Sequence, residues 1–178
     1  WSSSTNLEDL SNLNPGQYTV TVTDSEGCFE SETYTIEEPE LLTATVETFD
    51  VDCFGDNTGF AVSSINGGTP PYNQNWSGGA NPNNLFAGTY TLTVSDFNNC
   101  VFVIPDIVIN QPSEPLELIA DITNVLPCNG DLTGVISPIA NGGVPPYTYS
   151  LVNGDSFNSL ASGNYTVLVE DGNGCITQ

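Results

Sequence analysis

One segment recurs three times along the chain, and recurrence of this kind restricts the fold to a row of similar small units. Gly16-Gln17-Tyr18-Thr19-Val20-Thr21-Val22-Thr23-Asp24 runs on to Cys28. Gly88-Thr89-Tyr90-Thr91-Leu92-Thr93-Val94-Ser95-Asp96 runs on to Cys100, and Gly163-Asn164-Tyr165-Thr166-Val167-Leu168-Val169-Glu170-Asp171 runs on to Cys175. The copies begin at Gly16, Gly88 and Gly163, intervals of 72 and 75 residues. A second block recurs at the longer interval. Cys53, Gly55, Asp56, Thr58 and Gly59 align with Cys128, Gly130, Asp131, Thr133 and Gly134, and Asn66-Gly67-Gly68-Thr69-Pro70-Pro71-Tyr72 aligns with Asn141-Gly142-Gly143-Val144-Pro145-Pro146-Tyr147. Trp1 aligns with Trp76 across a three-residue insertion. We therefore read 1–40 as the C-terminal part of a first repeat, 41–115 as a complete repeat, and 116–178 as a repeat lacking its last strand.

The units read as β-structure. In Tyr90-Thr91-Leu92-Thr93-Val94 apolar residues alternate with Thr, which gives a strand one buried and one wet face. The same alternation marks Tyr18-Val20-Val22 and Tyr165-Val167-Val169. No window carries a helical stripe, and Gly/Pro clusters punctuate the chain as in sandwiches. Ser25-Glu26-Gly27, Phe97-Asn98-Asn99 and Gly172-Asn173-Gly174 read as hairpin turns leading into each Cys. Glu38-Pro39-Glu40 and Gln111-Pro112-Ser113-Glu114-Pro115 read as short, semi-rigid links. The pattern Leu-x-x-Gly-x-Tyr recurs at Leu13/Gly16/Tyr18, Leu85/Gly88/Tyr90 and Leu160/Gly163/Tyr165. A Tyr opening a strand after a Gly corner suits the tyrosine corner of an Ig-like sandwich; an ordinary core Tyr is the simpler alternative. The expected fold is all-β: tandem small Ig-like β-sandwiches of about 75 residues.

Five cysteines follow the same rhythm. Cys53 to Cys100 and Cys128 to Cys175 are both 47 residues. Equal spacing in two units predicts one bridge per unit, Cys53–Cys100 and Cys128–Cys175, with Cys28 paired to an upstream Cys. Such a bridge removes about 4 kcal/mol of unfolded-state freedom, a large share of what a core this small supplies. It also implies an oxidising compartment. One Cys pair per unit, without His or a Cys-x-x-Cys, cannot build a four-ligand zinc site. The geometry carries a tension: in a plain seven-strand sandwich the first loop and the last hairpin lie at opposite poles.

Charge narrows function further. The 178 residues contain no Lys, Arg or His and 22 Asp plus Glu, a formal charge of −22. Nucleic acid is excluded as a partner because nothing can neutralise phosphates. Anionic membrane surfaces repel such a chain, and no apolar run is long enough to insert. The chain opens at Trp1 without a signal peptide, as a window on a longer secreted precursor would. The acidity serves solubility and self-repulsion, or else it supplies oxygen ligands for a divalent cation. Catalysis is not expected: there is no His for a base, no cation for an oxyanion, and the Cys are committed to bridges. A two-carboxylate glycosidase would need a recurring acidic pair, and none recurs outside the turns.

Several residues merit consideration as sites. Asp50, Asp52 and Asp56 flank Cys53 and Gly55 in a loop like those that hold Ca²⁺, with Asp131 the counterpart of Asp56 in the next unit. The EF-hand spacing fits only in part, since position 12 is Ala61, and turn formation explains the same residues. Asp24, Asp96 and Asp171 end each tyrosine strand, where an Asp side chain caps a turn or ligates calcium. No other cofactor is indicated. Asn75-Trp76-Ser77 and Asn164-Tyr165-Thr166 are glycosylation sequons, which also arise by chance. Trp1, Trp76, Tyr72, Tyr147 and Tyr149 would suit either a core or a sugar-stacking platform.

Taken in order, Cys-x-Gly-Asp/Asn-x-Thr-Gly, Gly-Gly-x-Pro-Pro-Tyr, Leu-x-x-Gly-x-Tyr-Thr-Val-x-Val-x-Asp-x-x-x-Cys and a Pro link resemble the SprB-type repeat of large Bacteroidota cell-surface adhesins, including gliding-motility adhesins. The resemblance covers nearly the whole chain. Leu151 departs from it where Trp is expected after Pro-Tyr, and Asn98-Asn99 stands for the usual Asn-Gly. The resemblance implies export to the cell surface and a structural or adhesive role, with no catalytic residues to carry over. Asp155-Ser156 is similar to the Asp-Ser/Thr acceptor of O-glycosylation in that phylum, making Ser156 a candidate. The expected function is a repeat segment of a secreted surface protein or extracellular filament, whose partners are neighbouring repeats or copies of itself. The alternative is a module binding surface polysaccharide or calcium.

Overall fold

The computed structural model of the chain describes residues 9–124, 130, 132–152 and 156–178. Trp1, Cys128, Asp131 and Asp155 lie outside them. All regular structure longer than a single turn is β among the described residues. Strands β1 (Gly16–Thr23) and β2 (Phe29–Ile36) form an antiparallel hairpin in full register, Gly16 opposite Ile36 and Thr23 opposite Phe29.

The middle block contains two small sheets. β3 (Thr43–Phe49) pairs with β4 (Phe60–Asn66), and β5 (Asn73–Trp76), β6 (Gly88–Ser95) and β7 (Val101–Ile109) follow one another in a second antiparallel sheet. One cluster of buried side chains draws on both: Ala44 and Ala61 from the first sheet, and Trp76, Leu92, Val94, Ile107 and Ile109 from the second. Alternation along β6 explains this. Leu92 and Val94 are fully buried, while Thr91 and Thr93, which alternate with them, are half-buried. In β7 the pairing slips by one residue between Tyr90/Ile107 and Leu92/Ile104. The extra residue falls at Pro105-Asp106, where proline has no amide to give the ladder and Asp106 takes φ +55°. The bulge keeps Ile107 and Ile109 on the core face.

The last block repeats this plan. β8 (Glu117–Thr123), β9 (Gly134–Asn141) and β11 (Asn158–Leu160) form one sheet in the order β11-β9-β8. β10 (Thr148–Leu151), β12 (Val167–Glu170) and β13 (Ile176–Thr177) form the other. In the middle block the contact corresponding to β11 is a single bridge, Gly59 to Leu85. The middle block thus has five strands and one bridge, fewer than the seven of a plain Ig-like sandwich. Leu151 occupies the position of Trp76 and is equally buried, so the smaller side chain still seals its site.

Each corner tyrosine is tied back to the loop before it. The hydroxyls of Tyr18, Tyr90 and Tyr165 donate to the carbonyls of Asn14, Phe86 and Ala161 at 2.8, 3.0 and 3.0 Å, each four residues upstream. In the middle and last blocks the bond fixes where the chain enters the central strand of its sheet, β6 or β12. Leu92→Ala, beneath this corner, is expected to destabilise the chain by about 2–5 kcal/mol through lost burial and a residual cavity. Urea unfolding followed by Trp fluorescence measures the loss, and a change under about 1 kcal/mol would show that the site collapses or was never packed.

Candidate functional site

The region that unites most of the recurrent residues is the junction between blocks. It is built around the aspartate that ends each tyrosine strand. Asp96 is buried, and its Oδ1 accepts from the amide of Cys100 at 2.8 Å while Oδ2 accepts from the amide of Thr69 at 2.9 Å. Asp171 is buried as well. Its Oδ1 accepts from Asn173 and Cys175, both at 2.9 Å, and its Oδ2 from Val144 at 2.8 Å. Return bonds complete the clasp: Phe97 donates to the Thr69 carbonyl at 2.9 Å, and Gly172 to that of Val144 at 2.6 Å. The cysteine hairpin and the Gly-Gly-x-Pro-Pro loop are thereby held together at one end of the middle block and of the last block. Asp24 caps its own turn in the same way, accepting from Glu26 and Cys28 at 2.9 Å.

Both carboxyls are held below the usual range. For Asp96 the bond from Thr69 is the largest cause; it and the bonds from Cys100 and Asn98 outweigh desolvation. For Asp171 desolvation is the largest single effect and acts upward, but bonds from Val144, Cys175, Asn173 and Gly174 together overcome it.

The glycine pair then grips the link from the preceding block. Gly68 donates to the Glu40 carbonyl at 2.7 Å, and Gly143 to that of Glu114 at 3.0 Å. Gly67 and Gly142 adopt φ +67° and +68°, and a Cβ on either would collide with the carbonyl of Leu41 or Pro115. Only glycine satisfies both the left-handed conformation and the close approach. The tyrosine that closes the motif braces the turn: Tyr72 and Tyr147 donate to the Gly67 and Gly142 carbonyls at 2.7 and 2.6 Å. Sequence reasoning assigned these tyrosines to a core or a sugar platform and missed this role. Their fixed spacing from Gly-Gly was the available signal. Trp76 is in the core.

The opposite end of the middle block is equally tied. Asp50 Oδ1 accepts from the Asn110 backbone amide at 2.8 Å and its side-chain amide at 3.1 Å, and Val51 donates to the Asn110 carbonyl at 2.9 Å. Gly55 donates to Gln111 Oε1 at 2.8 Å, and Phe49 stacks on Phe60 at 4.2 Å beneath the loop. The link is therefore fixed at Asn110-Gln111 to the block it leaves and at Glu114-Pro115 to the block it enters. Only Pro112 and Ser113 lie between those anchors.

A disulfide closes the junction, and it corrects the expected pairing. Cys53 is bonded to Cys175, 122 residues away, with Cα atoms 5.7 Å apart. Cys53 is therefore not bonded to Cys100, which is a free, exposed thiol, as is Cys28. Cys128 lies outside the described residues, and with Cys175 engaged by Cys53 the expected Cys128–Cys175 bridge does not form. The reason is the polarity of the block. The Cys53 loop is pinned to the outgoing link through Asp50 and Asn110. The cysteine hairpin is clasped to the glycine loop that holds the incoming link. The loop of one block therefore meets the hairpin of the next, where the Asn173 side chain also donates to the Asp52 carbonyl at 2.9 Å.

The remaining candidates separate. Asp50 engages Asn110, and among the described residues no three Asp, Glu, His or Cys side chains converge as metal ligands, so Asp50, Asp52 and Asp56 are not gathered into a site. Asp131 lies outside the described residues. Asn75 on β5, Asn164 beside the corner tyrosine, and Ser156 are exposed.

The SprB repeat family matches residues 45–81 and 119–156, the Cys53 loop through the aromatic strand in the middle block and its counterpart in the last. These two segments are similar to the SprB repeat. No curated protein and no solved structure gives a significant match. SprB repeats occur in cell-surface proteins, and no helix among the described residues is long and apolar enough to cross a membrane.

The depressed carboxyl of Asp171 gives a pH signature. A group whose folded pKa lies below its unfolded value stabilises fully above the unfolded value, and that contribution is lost as pH falls through the folded pKa. Asp171→Asn should therefore lower the urea midpoint clearly at about pH 6, with the gap to the parent closing as pH drops below the ordinary 3.8. A gap that is constant from neutral to strongly acid pH would show that the charge of Asp171 contributes nothing.

Proposed function

We propose that this chain is a structural and adhesive stalk segment of a secreted surface protein or extracellular filament, built of Ig-like units and carrying no catalytic role. The observation that carries the reading is the junction. A link anchored at both ends, a clasped glycine loop and a disulfide from block to block set the pitch between neighbouring SprB repeats. An enzyme has little use for such a joint, whereas a spacer depends on it. The absence of cationic side chains supports the same reading, since like-charged repeats repel and stay hydrated rather than collapse on one another. Adhesion would then belong to exposed faces or to parts of the protein beyond these repeats.

Electron microscopy of the native, full-length protein tests this: threads with a regular axial repeat are expected, and compact particles would sink it. Small-angle scattering of the chain itself gives a second reading. Reduction of Cys53–Cys175 should broaden the distance distribution while leaving the far-UV circular dichroism unchanged, because the two bridged blocks each keep their own core.

A further inference from the structure

The Cys53–Cys175 bridge has a direction: loop cysteine of one repeat to hairpin cysteine of the following one. Cys28 and Cys100 stand at the hairpin position of their own blocks, and the three hairpins are built alike. The amides of Asp24, Asp96 and Asp171 donate to the carbonyls of Cys28, Cys100 and Cys175 at 2.9, 3.1 and 3.0 Å. The cysteine amides donate back to the aspartate Oδ1 at 2.9, 2.8 and 2.9 Å. The residue before each cysteine is left-handed: Gly27 at φ +85°, Asn99 at +63° and Gly174 at +82°. Asn tolerates that conformation, which is how Asn99 replaces glycine without changing the turn. Cys28 and Cys100 are thus set on their hairpins as Cys175 is, yet remain exposed thiols.

A second observation points to a partner. Asn173 spans the junction to the Asp52 carbonyl. Its counterpart Asn98 instead turns its amide onto the Thr69 hydroxyl of its own block at 3.1 Å, at a position where the last block has Val144 and no hydroxyl. The middle block therefore carries both groups that the last block uses to hold its predecessor, with neither so employed.

We infer that Cys100, and Cys28 with it, is the hairpin half of a further interrepeat disulfide, closed by a loop cysteine of the Cys53 type from another SprB repeat. The two cysteines of the middle repeat then bond to different neighbours, and bridges run staggered along the array, one per junction. Formation removes two protons and two electrons from the pair of thiols. A low-molecular-weight disulfide or a thiol–disulfide oxidoreductase accepts them and is reduced to two thiols. A backbone cut at Pro112-Ser113 would leave the flanking repeats covalently joined. The inference rests on the repeat character of the chain, not on adhesion.

The test is a disulfide map of the native full-length protein. Pepsin digestion in acid, without reductant, followed by mass spectrometry should recover the Cys100 peptide joined to a loop-cysteine peptide of a different repeat, and Cys53 joined to Cys175. A Cys100 free thiol, or a Cys53–Cys100 linkage, overturns it. On a non-reducing denaturing gel a single-chain mass assigns the partner repeat to the same polypeptide and a ladder assigns it to a second copy; either accords with the bridge. In the 178-residue chain, Cys175→Ser frees Cys53. In a glutathione redox buffer this variant should form dimers linking Cys53 of one copy to Cys100 or Cys28 of another, and an intramolecular Cys53–Cys100 bond overturns the inference. The map is independent of particle shape, so compact particles with staggered bridges would refute the stalk and leave this inference standing.

Discussion

A chain without a single cationic side chain must compensate each buried carboxylate by other means, and the solution adopted at Asp96 and Asp171 organises the rest of each repeat. Backbone amides take the place of a counter-ion. They come from two separate segments, the cysteine hairpin and the glycine loop, so neutralising the charge also welds those segments together. Had an Arg or Lys been available, the carboxylate could have been satisfied from one side without fixing the loop. The hydrogen bonds that depress these carboxyls therefore create the platform on which the incoming link and the bridging cysteine are set.

From that platform the mechanical coupling between repeats follows. Gly68 and Gly143 hold the link by its backbone, which leaves the link sequence free to differ: Glu40-Leu41 at one junction, Glu114-Pro115 at the other. On the far side Asp50, Asn110 and Gln111 hold the same segment to the repeat it leaves. A two-residue interval between anchors permits little rotation, and proline fixes one of its torsions. The disulfide adds a second connection at a distance from the first in sequence. Two spaced attachments resist bending in a way that one cannot.

Much of this was legible in the sequence, and one feature was not. Alternation placed β1, β6 and β12, and it located the buried faces of β6 and β12; in β1 the expected buried face is not formed, with Val22 68% exposed. The Leu-x-x-Gly-x-Tyr pattern picked out the three tyrosines whose hydroxyls close the corners. Asp24, Asp96 and Asp171 were visible as turn caps, but the second oxygen of Asp96 and of Asp171 reaches a loop 27 residues away, a contact no local pattern reports. The disulfide pairing failed for a deeper reason. In a periodic sequence, a loop cysteine bonding its own hairpin and one bonding the next hairpin give the same spacing pattern, so the equal intervals that suggested Cys53–Cys100 suit Cys53–Cys175 as well. What separates them is the polarity of the fold, and the opposite-pole placement of first loop and last hairpin already favoured the longer span.

The same absence of cations determines how the junction responds to its surroundings. No attraction across it is ionic: the contacts are amide-to-carbonyl bonds, packing and a covalent link. The only long-range electrostatic force between neighbouring repeats is repulsion among exposed carboxylates, which salt screens over about 8 Å at physiological strength. Added salt therefore weakens the force that drives repeats apart and leaves the forces that hold them together intact, the reverse of an interface built on salt bridges. A joint of this kind keeps its geometry in brine and in fresh water alike. Its vulnerabilities are chemical: reductants, which open the bridge, and strong acid, which protonates the carboxylates on which the platform stands.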